Sequence, residues 1–219
     1  MEAFTDLATA AFCPRKLYYR RKHDDATPPD DVAATRNLAF RYSSLLDAEL
    51  SLDAEPVVPE PSAYREALRR QRRRLDRWSD LVDPPSTRVF LSGKDAHGIA
   101  HKVLESPPSP AIVSTGKPPE NGVWKPHGVR ATAAAKALSW ERQQPVETAY
   151  VEYPAFGDIR KVRMTTRRKA TYRKALNTAE SIDGPPPRLK NDNRCQTCEY
   201  ADECGTRTRS LRSRLLGSQ

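Results

Sequence analysis

No stretch of the 219-residue chain holds eighteen consecutive apolar residues, so no segment reads as a membrane-spanning helix. Apolar residues make up 37% of the sequence against 30% charged, which implies an economical core and much surface or loop. No internal repeat is present. The opening MEAFTDLATAAFCPRKLYYRR places acidic residues before its short apolar run and basic ones after it. A secretory signal has the opposite order, so a cytoplasmic protein with no membrane partner is expected. Length suits a single unit, or two small ones, with a core large enough to be stable.

The charge is lopsided. The chain has 37 Lys and Arg against 28 Asp and Glu, a formal net charge of +9, and 26 of the 37 cations are arginines. Arginine's planar fork pairs with phosphate in a bidentate way, whereas lysine acts as a point charge. An arginine-rich protein of this charge is therefore a candidate nucleic-acid binder, with surface solubility as the plainer alternative.

Cysteine is scarce and unevenly placed. Cys195, Cys198 and Cys204 fall within CQTCEYADEC, and Cys13 stands alone near the other end. In a reducing compartment, three clustered thiols read as metal ligands before disulfides, with Cys13 the remaining sulfur for a fourth corner. A redox C-x-x-C is disfavoured because no thioredoxin-like strand–helix–strand pattern precedes Cys195. Neither His97 nor His101 is followed two places later by Glu, so the zinc deaminase pattern is missing. Spacing leaves zinc and iron–sulfur both open. Zinc sites of four cysteines usually come as two knuckles, whereas these ligands divide three and one.

Apolar periodicity predicts helices over 4–22, kinked at Pro14, and over 31–50 and 61–79. In the third, Tyr64, Leu68, Leu75 and Trp78 share one face, with Arg69, Arg70, Arg73 and Arg77 on the other. That basic stripe is a candidate phosphate track, although a solvated face is the commoner use of such a pattern. Thr5 or Asp6 can cap the first helix. Strand-like runs follow at 87–91, 98–104 and 111–115, then a helix at 131–142. Strands at 148–153 and 159–164 are joined by AFGD, and a further helix covers 165–182. A proline-stiffened connector, SIDGPPPRLKNDN, leads to the cysteine cluster, and the chain ends in the basic amphipathic RTRSLRSRLLGSQ. This order implies an α/β or α+β sheet flanked by helices.

FCPRKLYYRR at one end and RCQTCEYADECG at the other resemble the signature of the Cas-four family. These are the CRISPR-associated, iron–sulfur members of the RecB-like PD-(D/E)XK nucleases. VFLSGKDAHGIAHKVL, AIVSTGKPP, the helix near Arg130 and VEYPAFGDIRKVRM extend the likeness over nearly the whole chain. The resemblance implies an α/β fold, a restriction-endonuclease-like mixed sheet flanked by helices. It also implies a 4Fe–4S cluster on Cys13, Cys195, Cys198 and Cys204, in a lobe formed by residues 1–30 and 185–219. Residues 31–184 would be a helical insertion plus the nuclease-like core. Implied partners are DNA and a CRISPR-adaptation integrase or another DNA-processing protein, in prokaryotic antiviral defence or DNA processing.

The family's nucleases hold Mg²⁺ or Mn²⁺ with an Asp on one strand and the Glu of a Glu-x-Lys on the next, because a hard cation takes carboxylate oxygens. Here Gly98-Ile99-Ala100-His101 puts His101 at the Asp position, and 106–119 contains neither Asp nor Glu. Tyr42 stands where the family has a His, and Arg130 followed by alanines where it has Gln-x-x-x-Tyr. An inactivated nuclease site is therefore expected, and a cleft stripped of acids among arginines would bind phosphate without a bridging cation. The alternatives are an active Mg- or Mn-dependent exonuclease using Asp95, Glu105 and Lys117 with His97 or His101, and a zinc-stapled protein-interaction module.

Overall fold

The structure is a computed structural model, and it describes residues 1–23, 30–189, 193–196 and 198–206. The basic tail from residue 207 onward and the middle of the HDDATPPDD loop lie outside the described residues. A two-residue strand, β1 (Glu2–Ala3), leads into α1 (Phe4–Phe12) and α2 (Pro14–His23), with the bend at Cys13 as the Pro14 ring dictates. Neither Thr5 nor Asp6 caps α1. Its N-cap is Ala3 without a side-chain bond, and Asp6 instead pairs with Arg20 and Arg21 of α2.

The expected long helix over 31–50 is broken into α3 (Asp30–Asn37), a 3-10 turn at Leu38–Phe40 and α4 (Tyr42–Leu45). Leu38, Ala39, Tyr42 and Leu45 are all fully buried. The third predicted helix also divides, into α5 (Pro61–Arg74) and α6 (Trp78–Val82). Leu75 leaves α5 with an extended backbone (φ −97°, ψ 113°) that carries its side chain into the core.

The remaining elements are β2 (Ser86–Ser92), β3 (Ala96–Leu104), β4 (Ser109–Val113), α7 (Lys125–Arg142), β5 (Thr148–Tyr153), β6 (Asp158–Arg163), α8 (Thr166–Glu180) and α9 (Ala201–Cys204). Five strands follow the order β1-β3-β4-β5-β6, and β2 also pairs with β3. Pairing is antiparallel except for β1 on β3 and β4 on β5, the latter joined by the crossover helix α7. The AFGD hairpin closes through a 3-10 turn, with Gly157 at φ +59° wedged against the Tyr64 carbonyl.

The protein is thus α/β, a mixed open sheet with helices on both faces. One face packs α1, α7 and α8 through Phe4, Leu7, Ala134, Leu138 and Tyr172. The other packs the helical segment 38–82 through Tyr42, Tyr64, Leu68 and Leu81 against Val113, Tyr150 and Ile159. Alanines line α7 because the sheet approaches closely: a Cβ on Gly93 would lie 2.8 Å from Ala137 Cα. Phe4, Leu7, Ala10, Ala11 and Leu17 lie in the first core, so α1 and the start of α2 pack against the sheet.

Candidate functional site: a cationic splay in the sheet

Strands β3 and β4 pair from Leu104↔Ser109 to Lys102↔Ala111 and then part, while β4 continues beside β5 to Val113↔Glu152. The His101 imidazole fills the parting. Its Nδ1 accepts the Val113 N–H at 3.2 Å, replacing a ladder bond that the diverging strands cannot make. On the other side of β3, Arg88 falls opposite His101 between the Thr87↔Lys102 and Val89↔Ala100 pairs, and adopts φ +53°. A left-handed arginine inside a strand costs on the order of 1–3 kcal/mol, and such strain concentrates at working sites.

Around His101 the charges are of one sign. Burial and the nearby Arg130, Arg36, Lys102 and Arg88 push its pKa down to about 3, so the ring is neutral at physiological pH. Burial and Arg36 likewise lower Arg130 to about 10. The Nε atoms of Arg36 and Arg130 are buried without a hydrogen-bond partner, and among the described residues neither side chain is paired with a carboxylate. Arg88 is steered by Asn37 Oδ1 at 3.4 Å and by the Phe40 ring. Nearby, Ser114 Oγ, His127 and the Tyr153 hydroxyl form a chain with links of 3.2 and 2.9 Å that ties the end of β4 to α7 and β5. Burial and Arg130 lower His127 to about 4.

On the opposite face lies a feature the sequence reading missed. Lys102 projects into the helical layer and reaches diagonally past the small Ala111 to Glu152, at 2.8 Å. Both side chains are fully buried. The ammonium also donates to the carbonyls of Ala39 and Leu81, each at 2.6 Å, and sits over the Phe40 and Tyr42 rings. Burial raises the Glu152 carboxyl, opposed by Lys102. The Tyr42 hydroxyl approaches Glu152 Oε1 without completing a hydrogen bond, and burial raises it well above the usual phenol range. One Lys in an otherwise apolar column, Ala100-Lys102-Leu104, was the available signal, since a lone cation at such a position needs an acid across the sheet.

The alternative carboxylate set does not assemble. Asp95 precedes β3 and Glu105 follows it, ten residues apart, or about 30 Å along a strand. Glu105 instead pairs with Arg142 at 3.0 Å on the surface. Lys117 is exposed in the loop after β4, and His97 lies at the start of β3 against Phe90. His101 has its Nδ1 committed to the backbone. The basic stripe also thins: Arg69 and Arg70 are exposed on α5, but Arg73 pairs with Glu66 at 2.9 Å. Arg77 falls beyond the helix end, bound to Asp80 and the Pro107 carbonyl.

The two chain ends meet along α2. Lys16 pairs with Glu199 at 2.9 Å, and Lys22 and His23 both bind Glu203 at 2.9 and 2.7 Å. Arg15 donates to the Pro186 carbonyl, Tyr19 to that of Glu203, and Arg194 to that of Phe12. Tyr19 and His23 flank Tyr200. Cys13 thus adjoins a residue held by the neighbour of Cys195, and the Arg15 guanidinium reaches Cys204. All four cysteines are half-buried and unbridged. Among the described residues, no three His, Cys, Asp or Glu side chains are grouped as around a metal ion. The donor chemistry and the shared corner fit a thiolate-bound group, which would draw the sulfurs together on binding.

Comparison with protein-family models finds no match. An uncharacterised protein of Archaeoglobus fulgidus is 32% identical over 100 residues, which is 45% of this chain and 44% of that protein. The chain therefore aligns with less than half the length of that relative.

Proposed function

We propose that this is a Cas-four-like iron–sulfur protein of nuclease-type fold that binds nucleic acid, DNA above all, without cutting it. The observation that carries the reading is the splay at His101, where Arg36, Arg88 and Arg130 lie round a neutral histidine with, among the described residues, no acid paired to Arg36 or Arg130. Two guanidiniums whose Nε atoms are buried without a partner, with Arg130 lowered by burial and by Arg36, suit an anion, and the repeating anion of DNA is phosphate. The parting strands are those that carry Gly98–His101 and Ala111–Val113, the neighbouring strands on which the family would place its two carboxylates. The carboxylate of Glu152, on the neighbouring strand β5, points to the other face and pairs with Lys102. Cys13, Cys195, Cys198 and Cys204 would hold a 4Fe–4S cluster, and the pairing of α2 with the 193–206 segment supports that assignment. A DNA-processing protein, such as a CRISPR-adaptation integrase, is the kind of partner this reading implies.

The test is binding of labelled DNA by the full chain in EDTA over a salt series, followed by addition of Mn²⁺ or Mg²⁺. Binding persists in EDTA, weakens steeply with salt, and is reduced about fivefold or more by Arg130→Gln or Arg36→Gln, and the DNA stays intact when metal is added. Absence of affinity at low salt, or metal-dependent degradation by clean protein, overturns the reading.

A further inference from the structure

A groove of about 930 Å³ opens away from the splay, between the second half of α7 and the ends of β5 and β6. Four cations line it, Lys136, Lys161, Arg163 and Lys169, against one acid, Glu147. Arg163 and Lys169 have no carboxylate partner among the described residues, and Lys161 has only a loose pair with the exposed Asp76 at 3.3 Å. On the wall stands Trp140, 51% exposed. A second hollow of about 220 Å³ shares Lys136 and Trp140 and adds Lys94 and Asp95.

An exposed indole that lines two hollows together with lysines has a specific chemical meaning. Cations at intervals track a phosphate backbone, and a flat aromatic among them offers a stacking platform for a base. A duplex hides its base faces, so stacking selects single strands. We propose that this groove binds single-stranded nucleic acid, with phosphates on Lys136, Lys161, Arg163 and Lys169 and a base stacked on Trp140. The inference rests on the nucleic-acid reading above but uses none of the residues gathered round His101, Lys136 and Trp140 lying further along α7 than Arg130.

The experiment titrates full-length protein and its variants with a fluorescein-labelled oligothymidylate of about twelve nucleotides, and with a duplex, in EDTA at low salt. Trp140→Ala and the double variant Arg163→Glu/Lys169→Glu each lose roughly tenfold or more in single-strand affinity. Trp140→Ala leaves duplex affinity within about twofold, and the tryptophan quenching seen with the wild type disappears in Trp140→Phe. If both groove variants bind the oligonucleotide like the wild type while Arg130→Gln weakens it, the groove assignment is wrong and the Arg130 reading stands. If the wild type binds neither probe, both fall.

Discussion

His101 illustrates how one side chain can be bound to two requirements at once. Its Nδ1 must accept the Val113 N–H, and its neighbours are cations, so the ring must stay neutral. The folded protein therefore resists a proton that the unfolded chain accepts near pH 6.5. Above that pH the residue makes no pH-dependent contribution. As pH falls from about 6.5 toward about 3, the unfolded state gains the proton and stability drops by up to about 1.4 kcal/mol per pH unit. His101→Asn keeps an acceptor oxygen and removes the titration. Its urea-unfolding free energy should fall less steeply between pH 6.5 and 4 than that of the wild type, and parallel slopes would show that His101 is not held neutral. The sequence showed a histidine within a strand-like run. It did not show that the ring serves the backbone, because strand divergence is a property of three strands together.

At the scale of elements, the Lys102–Glu152 pair fastens the helical layer to the sheet. Lys102 Nζ is bound by Ala39 from the 3-10 turn, Leu81 from α6 and Glu152 from β5, so four separate segments meet on one ammonium. This also explains why the helix predicted over 31–50 breaks. The Ala39 carbonyl is turned to Lys102, and Tyr42 and Phe40 close over the charge. Lys102→Met would strand a buried carboxylate and two carbonyls and should cost about 3–5 kcal/mol. Adding Glu152→Met removes the orphaned charge and should restore part of the loss, the two carbonyls remaining unsatisfied. Chemical denaturation measures both, and a Lys102→Met protein within about 1 kcal/mol of the wild type would contradict the argument. The positions of β2 to β6 and of α8 were legible from periodicity and turn residues within a few positions, whereas α7 starts six residues before the expected 131 and β1 was not expected. The break near Ala39 was not, since it answers to a charge some sixty residues further along the chain.

At the scale of the whole molecule, the sheet body and the meeting of its termini are distinct achievements. The body is held by two apolar cores, one on each face of the sheet. The termini meet through exposed ion pairs and a short aromatic stack on α2, and exposed pairs are worth about 0–1 kcal/mol each. So weak a join gains most from a group bound by both sides, since binding that requires the closed arrangement stabilises it. Cysteine spacing raised the expectation that the two ends share a metal centre; what joins them among the described residues includes ion pairs and aromatic contacts on α2. The acidic residues Glu199 and Glu203, placed to meet the cations of α2, were not read in the sequence because pairs 181 and 183 residues apart leave no local trace.

The direct test of the account is to count iron, sulfide and zinc per chain in protein purified without oxygen, beside Cys198→Ala. The account predicts a brown protein with about four irons per chain, visible charge-transfer absorption, and loss of most of the metal with greater protease sensitivity in the variant. Stoichiometric zinc without iron, or a Cys198→Ala protein that keeps its metal and its stability, would contradict it.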